Sequence, residues 1–224
     1  MWSGPRNLST AMMYAFGNRA GCTAIDEPLY AAYLAATGLD HPMRPEILQS
    51  QPTEIDAALQ ALTRPKALQY EKHMTHHLLP EFPRDWINDV SNVYLIRHPA
   101  RVIASYQVKR ENPTLADLGF AQQLSLFEEF GGTVIDSADI RADPNSMLQV
   151  LCDALGICFD QAMLSWPMGP KQFDGVWASH WYGAVHQSTG FAGAEGPLPE
   201  LSGAQAQLLE AALPIYGKLA AQKI

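Results

Sequence analysis

The stretch Asn92-Val93-Tyr94-Leu95-Ile96 constrains the fold most. It is uncharged and dominated by β-branched, aromatic and aliphatic side chains, and it stops at once in Arg97-His98-Pro99. That pattern is a buried strand. A helical pattern follows over Arg101 to Lys109. Further pairs recur along the chain. Gly21 to Ile25 reads as a strand ending at Asp26-Glu27-Pro28, followed by a helix over Leu29 to Gly38. Lys66 to Lys72 and Gly132 to Asp136 read as further strands. Helices are expected over Ser9–Asn18, Thr53–Leu62, Leu115–Glu129 and Ser202–Ala220, with Pro214 kinking the last. Thr53 is a candidate N-cap, with Asp56 completing a capping box, and His41 to Pro52 reads as a proline-broken loop. Asp143-Pro144 starts another helix, whose apolar stripe is Met147, Leu148, Leu151 and Leu155 and whose stop is Gly156. Short strands alternating with helices predict an α/β fold of three layers, a mostly parallel central sheet flanked by helices.

In such sheets the ligand crevice lies beyond the carboxyl ends of the strands. The residues to interrogate are therefore Ser3 to Thr10, Asp26 and Glu27, His73 to His77, Arg97 to Ser105, and Asp136 to Asp139. The first of these suits an anion. Ser3-Gly4-Pro5-Arg6-Asn7-Leu8-Ser9-Thr10 is a small-residue turn carrying an arginine and two hydroxyls, and it opens an apolar helical run. The backbone N–H groups of a helix start carry partial positive charge, and Arg6 adds a fixed cation with a fork of donors. Only Met1 and Trp2 precede the turn, where a strand of about five residues is expected. The natural product is on that ground expected to be longer than this chain.

Composition narrows the partners. The chain has 224 residues, 47% hydrophobic and 17% charged, which fits a single compact domain over residues 1–224. A net charge of −8 with no basic run argues against nucleic acid or an anionic membrane surface. Three cysteines, Cys22, Cys152 and Cys158, have no metal spacing and an odd count, so reduced thiols in a cytoplasmic protein are expected. No apolar run approaches the length of a membrane span.

Gly4 is followed by neither a second glycine nor a Lys-Ser/Thr pair, so the loop is not the nucleoside-triphosphate type. Arg97 leaves a buried strand, Pro99 turns the chain, and Ser105 lies along the next helix. Arg97 and Ser105 could together hold a second phosphate, or serve as an ordinary helix start and a polar helix residue.

These two stretches carry a resemblance. Pro5-Arg6-Asn7-Leu8-Ser9-Thr10 resembles the 5′-phosphosulfate loop of the sulfotransferase family. Arg97-His98-Pro99 through Ser105-Tyr106, with the serine eight positions after the arginine, resembles that family's 3′-phosphate motif. The run from Thr133 through Asp136 and Asp143-Pro144 to Leu155-Gly156 is similar to the family's strand, D-P turn and helix. The resemblance spans Ser3 to about Phe159. It implies a nucleotide-kinase-like fold and 3′-phosphoadenosine-5′-phosphosulfate (PAPS) as donor, with no metal required. Arg6, Asn7, Leu8, Ser9 and Thr10 would hold its 5′ end, and Arg97 with Ser105 its 3′-phosphate. Many cytosolic members carry lysine at the Arg6 position and tryptophan at the position of Ala11. Arg6 would also stabilise charge developing on the leaving phosphate.

The acceptor, a hydroxyl or amine of a small molecule or carbohydrate, needs a base. Glu27 resembles the glutamate that some carbohydrate-acting members place after the second strand, and it is the favoured base. The runner-up is His76, in His73-Met74-Thr75-His76-His77. Cytosolic members carry a K-x-H base here, but the position two after Lys72 is Met74. Solvated histidines and an H-x-x-H metal site at His73 and His76 are competing readings. The family's late R-K-G is absent, with Lys171, Ser188 or Thr189 as possible substitutes. Trp177, Trp181 and Tyr182 either wall an acceptor pocket or pack in the core. A kinase-like phosphotransferase and a non-catalytic nucleotide-binding protein are the alternative functions.

Overall fold

The computed structural model describes residues 1–62, 68–107 and 113–224. The expected strand start at Lys66 and helix end at Lys109 lie outside the described residues, as does the side chain of Tyr106.

In chain order the elements are β1 (Trp2–Ser3), α1 (Ser9–Asn18), β2 (Cys22–Asp26), α2 (Tyr30–Thr37), α3 (Arg44–Ser50), α4 (Ile55–Ala61), β3 (Leu68–Met74), β4 (Val93–Ile96), α5 (Pro99–Gln107), α6 (Leu115–Leu118), α7 (Phe120–Phe130), β5 (Thr133–Asp136), α8 (Ser137–Ala142), α9 (Pro144–Ala154), α10 (Ala178–Trp181), α11 (Gly183–His186) and α12 (Ala204–Ala220). Short 3₁₀ turns cover Thr75–His77, Asp85–Asp89 and Gln161–Leu164. The strands form one sheet of order β2-β3-β1-β4-β5, with all pairs parallel.

Strand alternation sorts the core into two faces. Tyr70, Val93, Leu95 and Ile135 point to one side and pack with Met12, Met13 and Phe16 of α1, Leu34 of α2, and Leu148 and Leu151 of α9. Trp2, Tyr94, Ile96 and Val134 point to the other, against Ala58 of α4, Leu126 of α7 and Leu219 of α12. The three layers follow from that division.

The central strand β1 has only two residues, yet it pairs with β3 through Trp2↔His73 and Ser3↔Met74 and with β4 through Trp2↔Tyr94 and Ser3↔Leu95. Side chains from neighbouring elements supplement it. Buried Gln123 of α7 donates Nε2 to Trp2 O at 3.0 Å and to Leu95 O at 2.9 Å. Trp2 Nε1 in turn donates to Asn92 Oδ1 at 2.8 Å.

Several local expectations are corrected. Residues 41–52 contain helix α3, with Pro45 in its first turn, where a proline's missing N–H interrupts no intrahelical bond. Helix α4 begins at Ile55 after an uncapped Glu54, so Thr53 and Asp56 form no capping box. The expected helix Leu115–Glu129 is two helices, broken where Gly119 takes φ 74°. That break is a close contact: a Cβ on Gly119 would lie 2.6 Å from Thr75 Oγ1. Helix α8 follows β5 directly, with Asp136 capping it through Ala138 N–H at 2.8 Å. As expected, Asp143 caps α9, accepting from Ser146 N–H at 3.0 Å. The three cysteines are free thiols.

Candidate active site

The register aligns the strand ends. Asp26 sits beside Lys72, Ser3 beside Met74 and Leu95, and Ile96 beside Asp136. A cleft of about 340 Å³ opens over this edge. Arg6, Ser9, Thr10, Arg97 and Ser105 line one part of it, and Glu27, Lys72, His76 and His77 line another.

The first loop is held in a conformation that ordinary residues avoid. Arg6 and Leu8 take φ of 62° and 76°, both left-handed. Left-handed residues in a turn are one component of backbone concavities that gather N–H groups around an anion. Two contacts fix the loop from beneath. Asn7 is fully buried and donates Nδ2 to Leu95 O at 3.1 Å, so its side chain braces the loop instead of facing the cleft. Gly4 passes so close to α6 that a Cβ there would lie 2.3 Å from Leu118 O. No side chain caps the start of α1. Its first-turn N–H groups therefore keep their capacity for an anion.

Arg6 and the second motif meet. Arg6 Nε donates to Ser105 Oγ at 3.0 Å, and Arg97 Nη1 donates to Arg6 O at 2.7 Å. Burial, and then the neighbouring Arg97 charge, lower the Arg6 pKa from its ordinary value. Arg97 is thus tied to the Arg6 backbone beyond the end of β4, and both side chains line the cleft. Arg97 also has a carboxylate partner: its Nε donates to Glu195 Oε1 at 3.0 Å, and its Nη2 bonds to the same oxygen.

The other part of the cleft is a buried ion cluster. Lys72 Nζ contacts Asp26 Oδ1 at 3.0 Å, Glu27 Oε1 at 2.5 Å and the Tyr182 hydroxyl at 2.6 Å. Tyr182 donates to Asp26 at 2.8 Å and accepts from Trp177 Nε1 at 3.0 Å. Gly175 N–H donates to Asp26 Oδ2 at 3.0 Å. One ammonium therefore serves two buried carboxylates. Burial raises the Glu27 pKa, the Asp26 charge raises it further, and the single Lys72 cation only partly opposes this. The two carboxylates outweigh the desolvation of Lys72 and hold its ammonium protonated. Glu27 also takes φ 39°, a left-handed backbone for a non-glycine residue at the mouth of a cleft. A buried carboxyl with a raised pKa is the kind of group that can take a proton near neutral pH.

The histidines divide. His73 belongs to β3, bonds Glu71 Oε2 at 3.0 Å and stacks on Trp2 with centroids 4.5 Å apart. His76 and His77 line the cleft. His77 is buried, stacks on Tyr30 at 4.3 Å and Tyr33 at 4.7 Å, and places Nδ1 3.8 Å from Glu27 Oε2. Burial, then the neighbouring His76, push its pKa well below the ordinary value, so the ring is neutral. Among the described residues, no group of three or more His, Cys, Asp or Glu is placed to hold a metal.

A family model described as a sulfotransferase domain matches residues 1–223. The chain belongs to the sulfotransferase-domain family. Among solved structures, the sulfotransferase domain from the curacin biosynthetic pathway shares the fold, with a TM-score of 0.53 and 16% identity over 95% of each chain. Two Arabidopsis thaliana proteins, branched-chain-amino-acid aminotransferase-like proteins 1 and 2, are 36% and 33% identical over 97% of this chain. The chain spans about 40% of the length of each of these curated relatives. Family and fold support sulfuryl transfer in general terms. No helix among the described residues is long and apolar enough to cross a membrane.

In this sulfotransferase domain the late segment is loop with the short helices α10 and α11. Lys171 is turned to the carbonyls of Pro167 and Gly169, at 2.5 and 2.9 Å. Ser188 and Trp181 line the cleft, whereas Trp177 is core. Tyr182 is both buried and at the cleft. Three residues, Lys72, Arg141 and Glu195, gain a place that sequence reasoning did not assign, and Tyr182 gains a more specific one. Lys72 and Tyr182 organise the carboxylates, and Arg141 and Glu195 join Arg97. The charge of Lys72 at the end of a strand pattern was the available signal for the first; in the structure it pairs directly opposite Asp26. For Glu195 there was none, because the segment around it has no periodicity.

Proposed function

We propose that the domain transfers a sulfuryl group from PAPS to a hydroxyl or amine of a small-molecule or carbohydrate acceptor. The observation that carries this reading is the single cleft. It joins an uncapped helix start and paired guanidiniums at one part to a buried carboxyl beside a lysine at another. A donor bearing two separated phosphate-type anions and an acceptor that must lose a proton require that pairing of sites. The residues fit such a donor: Arg6, the Leu8–Thr10 backbone and hydroxyls suit its 5′ end, and Arg97 with Ser105 its 3′-phosphate. PAPS supplies a sulfuryl group activated by its anhydride link to phosphate.

The chain's own residues then have defined tasks. Arg6 and the first-turn N–H groups of α1 neutralise negative charge on the departing phosphate oxygen, where fixed donors stabilise most. Glu27 accepts the acceptor's proton as the new bond to sulfur forms. Lys72 and Tyr182 orient Glu27, and His76 is the alternative base. The missing Lys-Ser/Thr pair weighs against a triphosphate donor.

The test is thermal unfolding with adenosine 3′,5′-bisphosphate (PAP), PAPS, ATP and ADP side by side. At a hundredfold excess over Kd a native-state ligand adds about 2.7 kcal/mol. For a domain of this size that is a rise in Tm of roughly 5–10 °C. PAP and PAPS are expected to give it and ATP and ADP are not. A flat response to saturating PAP overturns the reading.

A further inference from the structure

Beyond the ends of β4 and β5 three arginines converge on one carboxylate. Arg97 follows β4, Arg101 lies in α5, and Arg141 lies in α8 after β5. Glu195 Oε1 accepts from Arg97 and, at 2.7 Å, from Arg141 Nη1. Glu195 Oε2 lies 2.8 Å from Arg101 Nε. The backbone on either side is held as well: Arg141 Nε donates to Gly193 O at 2.9 Å, and Arg101 Nη2 bonds to Gly196 O. The Glu195 side chain is only 4% exposed, although residues 191–202 form neither helix nor strand. A segment without regular structure is thus seated by one acid.

The occupant matches its site poorly in two respects. Three guanidiniums share two carboxylate oxygens, Arg101 and Arg141 turning their other arms to the carbonyls of Gly196 and Gly193. Oε2 makes no hydrogen bond of good geometry despite its closeness to Arg101. Charge is also out of balance. Glu195 supplies one negative charge to Arg97, Arg101 and Arg141, with Arg6 adjoining. The nearby acids are committed elsewhere: Asp136 accepts from Ala138 N–H and the Tyr216 hydroxyl, and Asp139 pairs with Lys223. A phosphomonoester offers three terminal oxygens and up to two negative charges, which suits three forks better.

We propose that Arg97, Arg101 and Arg141 form a binding site for a dianionic phosphomonoester, and that Glu195 is its intramolecular occupant, displaced when the ligand binds. This rests on the reading above that the ligand is a nucleotide bearing a 3′-phosphate. Arg97 cannot give its Nε–Nη2 fork to a phosphate while Glu195 holds it. Residues 193–196 are therefore a tethered competitor, and apparent affinity is reduced by the fraction of molecules in which they are seated.

Calorimetric titration of the full chain with PAP and with adenosine 5′-monophosphate, which lacks the 3′-phosphate, tests this. If the segment is seated in nine molecules of ten, Glu195→Gln tightens PAP by about 10-fold. Its affinity for adenosine 5′-monophosphate stays within about twofold, since the Arg6 loop takes that ligand's one phosphate and leaves the three arginines to Glu195. Arg141→Gln weakens PAP and leaves adenosine 5′-monophosphate unchanged. Hydrogen exchange of the unaltered protein gives a second readout that requires no variant to fold: PAP is expected to speed exchange over residues 191–197. Equal PAP affinity in the unaltered protein and Glu195→Gln, or exchange that is unchanged or slowed, overturns the proposal while the donor reading stands. Absence of PAP binding to either protein overturns the donor reading and the displacement with it.

Discussion

Replacing Lys72 by methionine isolates the energetics of the candidate base. The side chain is 2% exposed and its Nζ contacts Asp26, Glu27 and Tyr182. Methionine fills a similar volume without the charge. Asp26 keeps Tyr182 and Gly175 N–H as donors, but Glu27 loses its cation and faces Asp26 in a water-poor site. Breaking a buried pair in this way costs about 3–5 kcal/mol. In urea, with m near 2 kcal/mol/M, the midpoint at pH 8 is expected to fall by roughly 1.5–2.5 M.

The pH dependence carries the sharper test. Without Lys72, Glu27, buried and facing the Asp26 charge, takes up a proton more readily in the folded state than in the unfolded chain. The folded state then binds more protons, so stability falls as pH rises, by up to about 1.4 kcal/mol per pH unit for each extra proton. The deficit of Lys72→Met is therefore largest at pH 8 and shrinks toward pH 5. A loss below about 1 kcal/mol, or a deficit independent of pH, would refute the claim that one ammonium supports two buried carboxylates.

Three further outcomes are expected. Glu27→Gln lowers turnover about 10²- to 10⁴-fold while PAP binds normally, and unchanged turnover removes Glu27 as base. Gly4→Ala forces the first loop off Leu118 O, costs about 1–3 kcal/mol in thermal unfolding and weakens PAP, whereas an unchanged Tm and affinity contradict the close packing. His77 is neutral when buried and its ordinary pKa is 6.5, so the unfolded chain binds its proton first as pH drops below that value. Stability then declines by up to about 1.4 kcal/mol per pH unit, and His77→Phe, which keeps the stacking on Tyr30 and Tyr33, should flatten the decline measured by urea titration between pH 7.5 and 5.

Most of the sheet was legible because β2, β4 and β5 are short runs that lead closely into a helix, with β4 wholly apolar. Ile96-Arg97, Asp26-Glu27 and Asp136 all lie at strand ends as the alternation implies. The departures have local causes. Pro45 falls where a first helical turn tolerates it, and Gly119 splits a helix because Thr75 and Gly4 crowd it. His73 continues β3 through pairing with β1, a partner distant in sequence that local pattern does not reveal. The Arg97–Ser105 pairing was legible as a motif, whereas what each group touches was not: Ser105 accepts from Arg6, and Arg97 holds Glu195. Those partners lie 99 and 98 residues away.

The least patterned part of the chain reaches both candidate sites. Gly175 N–H and the Tyr182 hydroxyl anchor on Asp26, beside the Lys72–Glu27 pair. Twenty residues after Gly175, Glu195 enters the arginine cluster. Alongside them, Asp174 draws in Tyr14 of α1 at 2.6 Å and His186 at 3.1 Å, and Trp166 Nε1 donates to Ser188 at 3.1 Å. Residues 174–196 are therefore pinned by polar contacts at discrete points and by Trp177, Ala178 and Tyr182 in the core, not by the continuous apolar stripe that makes a helix visible in sequence. Polar contacts to charged groups are individually worth about 1.5–3 kcal/mol, and a stronger competing partner can exchange them. Such a segment can hold the carboxylates in place at one part of the cleft and still surrender Glu195 at another. An apolar seal over the same cleft would have to expose its buried surface to admit a charged ligand. On this view the absence of periodicity in the late segment and its capacity to admit an anion share one physical origin.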